Sequence, residues 1–63
     1  MKKIGKKLKN LRGNKSQKEV AEALGLQPSA ISMYENDERI PRDEIKIKLA
    51  RYYNKSVEDI FFE

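Results

Sequence analysis

Side chains that could perform acid–base, nucleophilic or metal chemistry are scarce in this sequence. The 63 residues include neither histidine nor cysteine, which removes the commonest general base, the commonest metal ligand and any thiolate metal site. The ten carboxylates fall at predicted helix caps and on helix faces. No catalytic constellation, metal site or cofactor site can be assembled from them, so an enzyme is the least favoured class.

Basic side chains are concentrated at the start of the chain. Residues 1–18 contain no acid, and they hold eight of the 14 basic residues, namely Lys2, Lys3, Lys6, Lys7, Lys9, Arg12, Lys15 and Lys18. Such a basic face suggests a polyanion, either nucleic acid or an acidic membrane surface. A solvated face that only aids solubility is an equal alternative. The membrane hypothesis is weakened because the first predicted helix has no tryptophan or phenylalanine.

A third set of side chains is polar but uncharged. The run from Gln27 to Met33 reads QPSAISM, where an ordinary surface helix would offer lysine and glutamate. Plain solvent-facing surface is the alternative explanation for Ser29 and Ser32. Gap-filling core is the alternative for Met33, because methionine often serves that purpose.

Two short predicted helices position this polar run. Residues 16–19, Ser-Gln-Lys-Glu, form a capping box that starts the first helix, and Gly25 ends it as a left-handed cap. Pro28 suits the first turn of the second helix. The pair predicts a helix-turn-helix, in which the small side chain of Ala21 permits close approach. An ordinary corner between two helices is the alternative.

Helical spacing recurs elsewhere and predicts a single all-α domain over residues 1–63 with five helices. Gly5 weakens the first helix by about 1 kcal/mol relative to alanine, which predicts a frayed first turn. Residues 43–53 are predicted helical, although residues 45–49 alternate like a strand. A second capping box at residues 56–59 opens the last helix.

The predicted core is thin, because a chain of this length hides only about 60% of the surface that its unfolded form exposes. The expected core residues are Ile4, Leu8, Leu11, Val20, Ala21, Leu24, Leu26, Ile31, Tyr34, Leu49, Ala50, Tyr53, Ile60 and Phe61. No apolar run is long enough to cross a bilayer, and no signal-peptide pattern is present. The expected location is therefore the cytoplasm, with no membrane partner.

The run from Ser16 to Asn36, SQKEVAEALGLQPSAISMYEN, resembles the phage-repressor/Cro-like (XRE-type) helix-turn-helix domain. The positions that carry the resemblance are Gln17, Ala21, Gly25, Ile31, Glu35 and Asn36. It extends over nearly the whole chain through Leu11-Arg12, Pro41, Leu49-Ala50 and SVEDIF. It implies a compact five-helix lambda-repressor-like DNA-binding domain, with its helix-turn-helix at about residues 17–36. One departure is Asp37, which stands where the family usually has glycine.

The resemblance implies a transcriptional regulator, most simply a repressor, that reads a palindromic operator in double-stranded DNA. Its third helix would enter the major groove. The base-reading residues carried over from the family are Gln27, Pro28, Ser29, Ser32 and Met33. Glutamine can bond adenine bidentately, serine can bond either partner, and apolar groups can touch the thymine methyl.

Phosphate contacts and an internal ion pair are implied in the same way. The expected phosphate-binding residues are Lys15, Gln17, Asn36, Arg39 and Arg42. Ordinary surface charge is the alternative for Lys15, Arg39 and Arg42. Arg12 at the end of the first helix is expected to pair with Glu35 and to hold the third helix, without reading DNA.

A homodimer, at least on DNA, is expected because one such domain reads only a short half-site. Phe61 and Phe62 are the candidate dimer contacts, because two adjacent aromatic residues on a helix cannot both point inward; a frayed terminus is the alternative. No small-molecule effector is expected. A rival hypothesis is a protein-interaction module, such as an antitoxin-like or co-regulator subunit with weak DNA binding.

Overall fold

The computed structural model describes residues 3–62. Within that part of the chain, five α-helices follow one another: α1 (Ile4–Arg12), α2 (Gln17–Leu24), α3 (Pro28–Glu35), α4 (Asp43–Tyr52) and α5 (Val57–Phe61). Helix α3 packs against both α1 and α2, while α5 packs against α1 and α4. The predicted all-α class and five-helix order are confirmed.

The predicted caps fix three of the helix ends. Ser16 Oγ accepts a hydrogen bond from the N–H of Glu19 at 3.0 Å, which starts α2. Ser56 Oγ accepts from the N–H of Asp59 at 3.0 Å, which starts α5. Gly25 closes α2 in the left-handed conformation, with φ 70° and ψ 32°. Since few side chains tolerate that conformation, glycine is the natural residue for the tight turn.

The core contains ten of the predicted side chains, and its largest fully buried members include Leu8, Leu49 and Phe61. The other four predicted core residues pack against its margin and are partly buried: Ile4, Leu11, Leu26 and Tyr53. The alternating segment of α4 is helical, as predicted, so its isoleucines do not share one face. Ile45 is partly buried, whereas Ile47 is 45% exposed.

Among residues 3–62, no helix is long and apolar enough to cross a membrane.

Gly5 lies where α1 crosses the end of α3, and the prediction of a frayed first turn is wrong. The helix begins at Ile4, and Gly5 is buried. A Cβ atom at position 5 would overlap the backbone carbonyl oxygen of Glu35 and would lie 2.7 Å from its carbonyl carbon. The glycine weakens α1 locally, but it permits a close helix crossing that no other residue allows.

Asp37 fastens the start of α1 to the loop after α3. Its backbone has φ 58°, a left-handed conformation that aspartate tolerates better than most residues. Its Oδ1 atom accepts a hydrogen bond from the N–H of Gly5 at 2.9 Å. That N–H belongs to the first turn of a helix and has no partner within the helix. The departure from the family's glycine therefore supplies a cap from a distant part of the chain.

Candidate nucleic-acid interface

The polar run identified in the sequence forms the outward face of α3. Gln27, Pro28 and Ser29 are exposed, while Ser32 and Met33 are partly buried. The opposite face of α3 is anchored by Ile31 and Tyr34, which are 2% and 7% exposed. Gln27 is the residue before the helix, and its side chain forms no capping hydrogen bond. Pro28, Ser29, Ser32 and Met33 thus lie on one side of α3, whose other side is fixed in the core, and Gln27 precedes its first turn.

A shallow cleft brings three of these residues together with two predicted phosphate-binding arginines. Gln27, Ser29 and Met33 of the α3 side line it, together with Arg39, Arg42 and the carboxylate of Glu44. Both arginines are exposed. The arrangement places uncharged hydrogen-bonding groups beside cations, which is the combination that reads base edges and neutralises phosphates.

The remaining predicted phosphate-binding residues lie at the ends of the helix-turn-helix. Asn36 follows α3 and is exposed, and its Nδ2 atom donates to Ser32 Oγ at 3.3 Å. Lys15 precedes α2, and its ammonium lies 4.7 Å from the centre of the Tyr52 ring. Lys15 therefore contacts α4 and does not line the cleft that contains Arg39 and Arg42, and its phosphate-binding role stays a prediction.

Arg12 and Gln17 are joined through Glu35 into one polar cluster. Arg12 donates to the Glu35 carboxylate from Nε at 2.7 Å and from Nη2 at 3.0 Å. Gln17 Nε2 donates to Glu35 Oε1 at 3.1 Å. The expected Arg12–Glu35 pair is therefore present, with the carboxylate side chain 3% exposed and the arginine side chain 15% exposed. Three donors converge on a single buried carboxylate.

The cluster has a further consequence for Gln17. A glutamine amide carries two N–H donors, and one of them is directed at Glu35. The second N–H, together with the backbone N–H groups that begin α2, is left for an acceptor outside the helix. The link from Gln17 to Glu35 is not apparent from the sequence, because the two residues are 18 positions apart.

The polar cluster and its surroundings raise the pKa values of Arg12 and of the neighbouring Tyr53. The hydrogen bonds to Glu35 raise the pKa of the Arg12 guanidinium, although burial opposes the change. Burial raises the pKa of the Tyr53 hydroxyl to about 12, and the nearby Glu35 carboxylate adds to the effect. Arg12 opposes this second shift because it favours the ionised tyrosine.

The raised pKa of Tyr53 predicts a loss of stability at high pH. The folded state holds the hydroxyl proton more tightly than the unfolded state, whose tyrosine has the ordinary pKa of 10.0. The stabilising contribution is therefore complete below pH 10 and disappears as the pH rises toward 12. We expect a loss on the order of 1 kcal/mol, because solvent screens a partly exposed hydroxyl.

Urea denaturation between pH 8 and pH 12 measures this effect, with Tyr53→Phe as the matched control. Lysine deprotonation affects both proteins equally, so the difference between the two free energies of unfolding isolates Tyr53. Parallel pH profiles for the two proteins would contradict the assignment.

The C-terminal end separates the two candidate dimer contacts. Phe61 is 2% exposed and belongs to the core, whereas Phe62 is 53% exposed. Phe61 is therefore not a surface contact, whereas Phe62 is the residue that follows α5 and points away from the core. Phe62 lies beside the exposed Ile47, and both border one apolar groove between α4 and α5. The ammonium of Lys46 lies 5.6 Å from the Phe62 ring centre.

Comparison with known proteins agrees with this arrangement. The family model described as helix-turn-helix matches residues 6–60, which is most of the chain. No curated protein matches the sequence. Proteins of the matching family are DNA-binding regulators of transcription. The two helices around Gly25, the outward polar face of α3 and the family match agree: the chain belongs to the phage-repressor/Cro-like (XRE-type) helix-turn-helix family.

Proposed function

We propose that this DNA-binding regulator is a repressor that binds a palindromic operator as a homodimer, with α3 in the major groove. The observation that carries the proposal is the outward face of α3. It presents amide, hydroxyl and thioether groups, and it borders the cleft in which Arg39 and Arg42 outnumber the one carboxylate, Glu44. A dimer bound across an operator would exclude other proteins from the same stretch of DNA.

Base reading would depend on Gln27, the two serines and two apolar side chains. Gln27 has a free amide at the start of α3 and fits adenine, which offers both a donor and an acceptor in the major groove. Pro28 and Met33 have no hydrogen-bond donor, so their contribution would be apolar contact with thymine methyl groups.

Phosphate binding would fix the orientation of α3 on the duplex. Gln17 at the start of α2 and Asn36 at the end of α3 bracket the helix-turn-helix, and Arg39 and Arg42 lie on the loop that leads to α4. Such contacts position a protein without carrying sequence information. Glu35 accepts a hydrogen bond from the Gln17 amide. The polar cluster on the inner side of α3 would therefore also orient Gln17 toward a DNA phosphate.

Dimerisation would use the groove between α4 and α5. Ile47 and Phe62 are large apolar side chains that are 45% and 53% exposed. Asp43 and Lys46 also line the groove, so two copies related by a two-fold axis could pair each carboxylate with the partner's ammonium. This charge pattern favours a second copy as the occupant.

Selection from a random duplex library at physiological salt tests the proposal. We expect an enriched palindrome with adenine and thymine in each half-site. Arg39→Gln should weaken binding to all sequences and reduce the salt dependence by about one phosphate contact, whereas Gln27→Ala should relax the preference at one base pair. Binding that falls steeply with salt and enriches no sequence would overturn the proposal and favour a protein-interaction module.

Replacing thymine by uracil in the selected operator should weaken binding roughly fourfold for each methyl that the protein buries. The substitution removes only the methyl group, so hydrogen bonds and phosphates are unchanged. Titration of both operators by fluorescence anisotropy measures the effect. Met33→Ala is the control, because that variant should distinguish thymine from uracil less well. Equal affinity of the original protein for both operators would contradict methyl reading.

A further inference from the structure

A second groove, separate from the candidate nucleic-acid interface, lies between the C-terminal halves of α2 and α4. Its floor is apolar and consists of Ala23, Leu24 and the ring of Tyr52. Lys48 and Arg51 also line it. It shares no residue with the cleft beside α3 that contains Arg39 and Arg42.

Two cations, Lys48 and Arg51, line this apolar floor. Lys48 and Arg51 are exposed and three positions apart on α4, so they occupy the same face of the helix, where like charges repel. Lys15 does not line the groove, but its ammonium lies 4.7 Å from the centre of the Tyr52 ring. Within residues 3–62 the ion pair at 4 Å or less is Arg12–Glu35, so neither Lys48 nor Arg51 forms an ion pair with a described residue.

We infer that this groove binds an acidic peptide segment of another protein, with one apolar side chain seated on the floor. Carboxylates of the segment would neutralise Lys48 and Arg51, and a leucine-sized side chain would cover Ala23 and Tyr52. The apolar floor favours a peptide over a DNA backbone, because phosphates and sugars have no comparable apolar group to bury. Glu19 lies one turn before Ala23 on α2 and would repel carboxylates of the peptide. The acidic side chains of the peptide would therefore lie on the α4 side of the groove.

The inference goes beyond DNA binding, because it gives the domain a surface through which a partner could act while α3 remains on the operator. Such a contact would let an acidic partner be recruited to the operator. The charges needed for it come from α4, and Arg42, the residue before α4, lines the cleft along α3.

Nuclear magnetic resonance titration of the full chain tests the inference. The probe is a short synthetic peptide with aspartates and glutamates around one leucine. We expect shifts in the amide signals of Ala23, Leu24 and Tyr52, with those of Ser29 and Ser32 unchanged. Lys48→Glu/Arg51→Glu should weaken binding by about tenfold or more, because both ion pairs become repulsive.

A matched variant and two further probes make the test decisive. Lys6→Glu/Lys9→Glu changes the net charge equally on exposed positions of α1, and it should bind the peptide within about twofold of the original protein. The inference is overturned if this control loses as much affinity, or if a peptide with serine in place of leucine binds equally well. It is also overturned if the acidic peptide causes no shifts, or if a short DNA duplex shifts the groove amides and displaces the peptide.

Discussion

Gly5→Ala is expected to destabilise the folded protein by about 3 kcal/mol or more, the upper range for forcing extra atoms into a packed site. Helix propensity alone predicts the opposite sign, since alanine is favoured over glycine by about 1 kcal/mol inside a helix. The structure reverses that expectation because a Cβ atom would overlap the backbone carbonyl oxygen of Glu35. Backbone cannot move aside as a flexible side chain does, so α1 would have to shift away from α3.

Thermal melting followed by circular dichroism measures this change, with Gly25→Ala as the matched control. Gly25 has φ 70° and open space around its Cβ position, so its replacement should cost only the left-handed strain of about 1 kcal/mol. A domain of this size has a total stability on the order of 5 kcal/mol, so Gly5→Ala removes most of it. A Gly5→Ala protein as stable as the original would show that the helix crossing adjusts.

The features that the sequence predicted are local ones. Helix starts at Ser16 and Ser56, the turn at Gly25 and the stripes of apolar residues all depend on neighbours within one or two turns. Residue type and spacing are sufficient for such features. The exposed position of Ser29 agrees with the same pattern, because Ser29 lies on the face of α3 opposite Ile31 and Tyr34.

The features that the sequence did not predict join residues far apart along the chain. Asp37 bonds Gly5 from 32 positions away, and Gly5 itself is explained only by its contact with the end of α3. The sequence predicts Phe61 in the core but also retains it as a candidate dimer contact, and the structure supports only the core position. The packing of α5 on α1 and α4 places Phe61 inside and leaves Phe62 exposed.

The contacts that stabilise the fold also position the DNA-binding face of α3. Helix α1 packs closely against the end of α3 at Gly5, and Arg12 binds α3 through its ion pair with Glu35. Together these contacts fix the orientation of the outward face of α3. A rigid support of this kind reduces the ordering that binding would otherwise require. The buried polar cluster is therefore the place where stability and DNA affinity should be coupled most strongly.

Glu35→Gln is expected to lower the free energy of unfolding by about 3 kcal/mol and the melting temperature by roughly 15 °C. The carboxylate accepts from Arg12 Nε, Arg12 Nη2 and Gln17 Nε2 while its side chain is 3% exposed. A glutamine there has no negative charge and presents an N–H₂ group to neighbours that are donors themselves. The Arg12 guanidinium loses its counterion and retains only the carbonyl oxygen of Lys15 as a partner at 2.7 Å. An unchanged melting temperature would contradict the role of this pair as a support for α3.

A double-mutant cycle measures the interaction energy between Arg12 and Glu35 apart from the effect of each single substitution. Arg12→Met alone should cost about 3 kcal/mol, because it leaves a buried carboxylate with only Gln17 as a donor. Arg12→Met/Glu35→Gln should cost at least about 1 kcal/mol less than the two single changes together, since neither charge is then left alone. At a temperature where the double variant is folded, it should still bind the operator and unrelated duplexes more weakly, because Gln17 is no longer held by the carboxylate. Equal loss on both kinds of DNA would identify Gln17 as a phosphate contact, whereas a loss confined to the operator would mean that the cluster acts on the base-reading face of α3 instead.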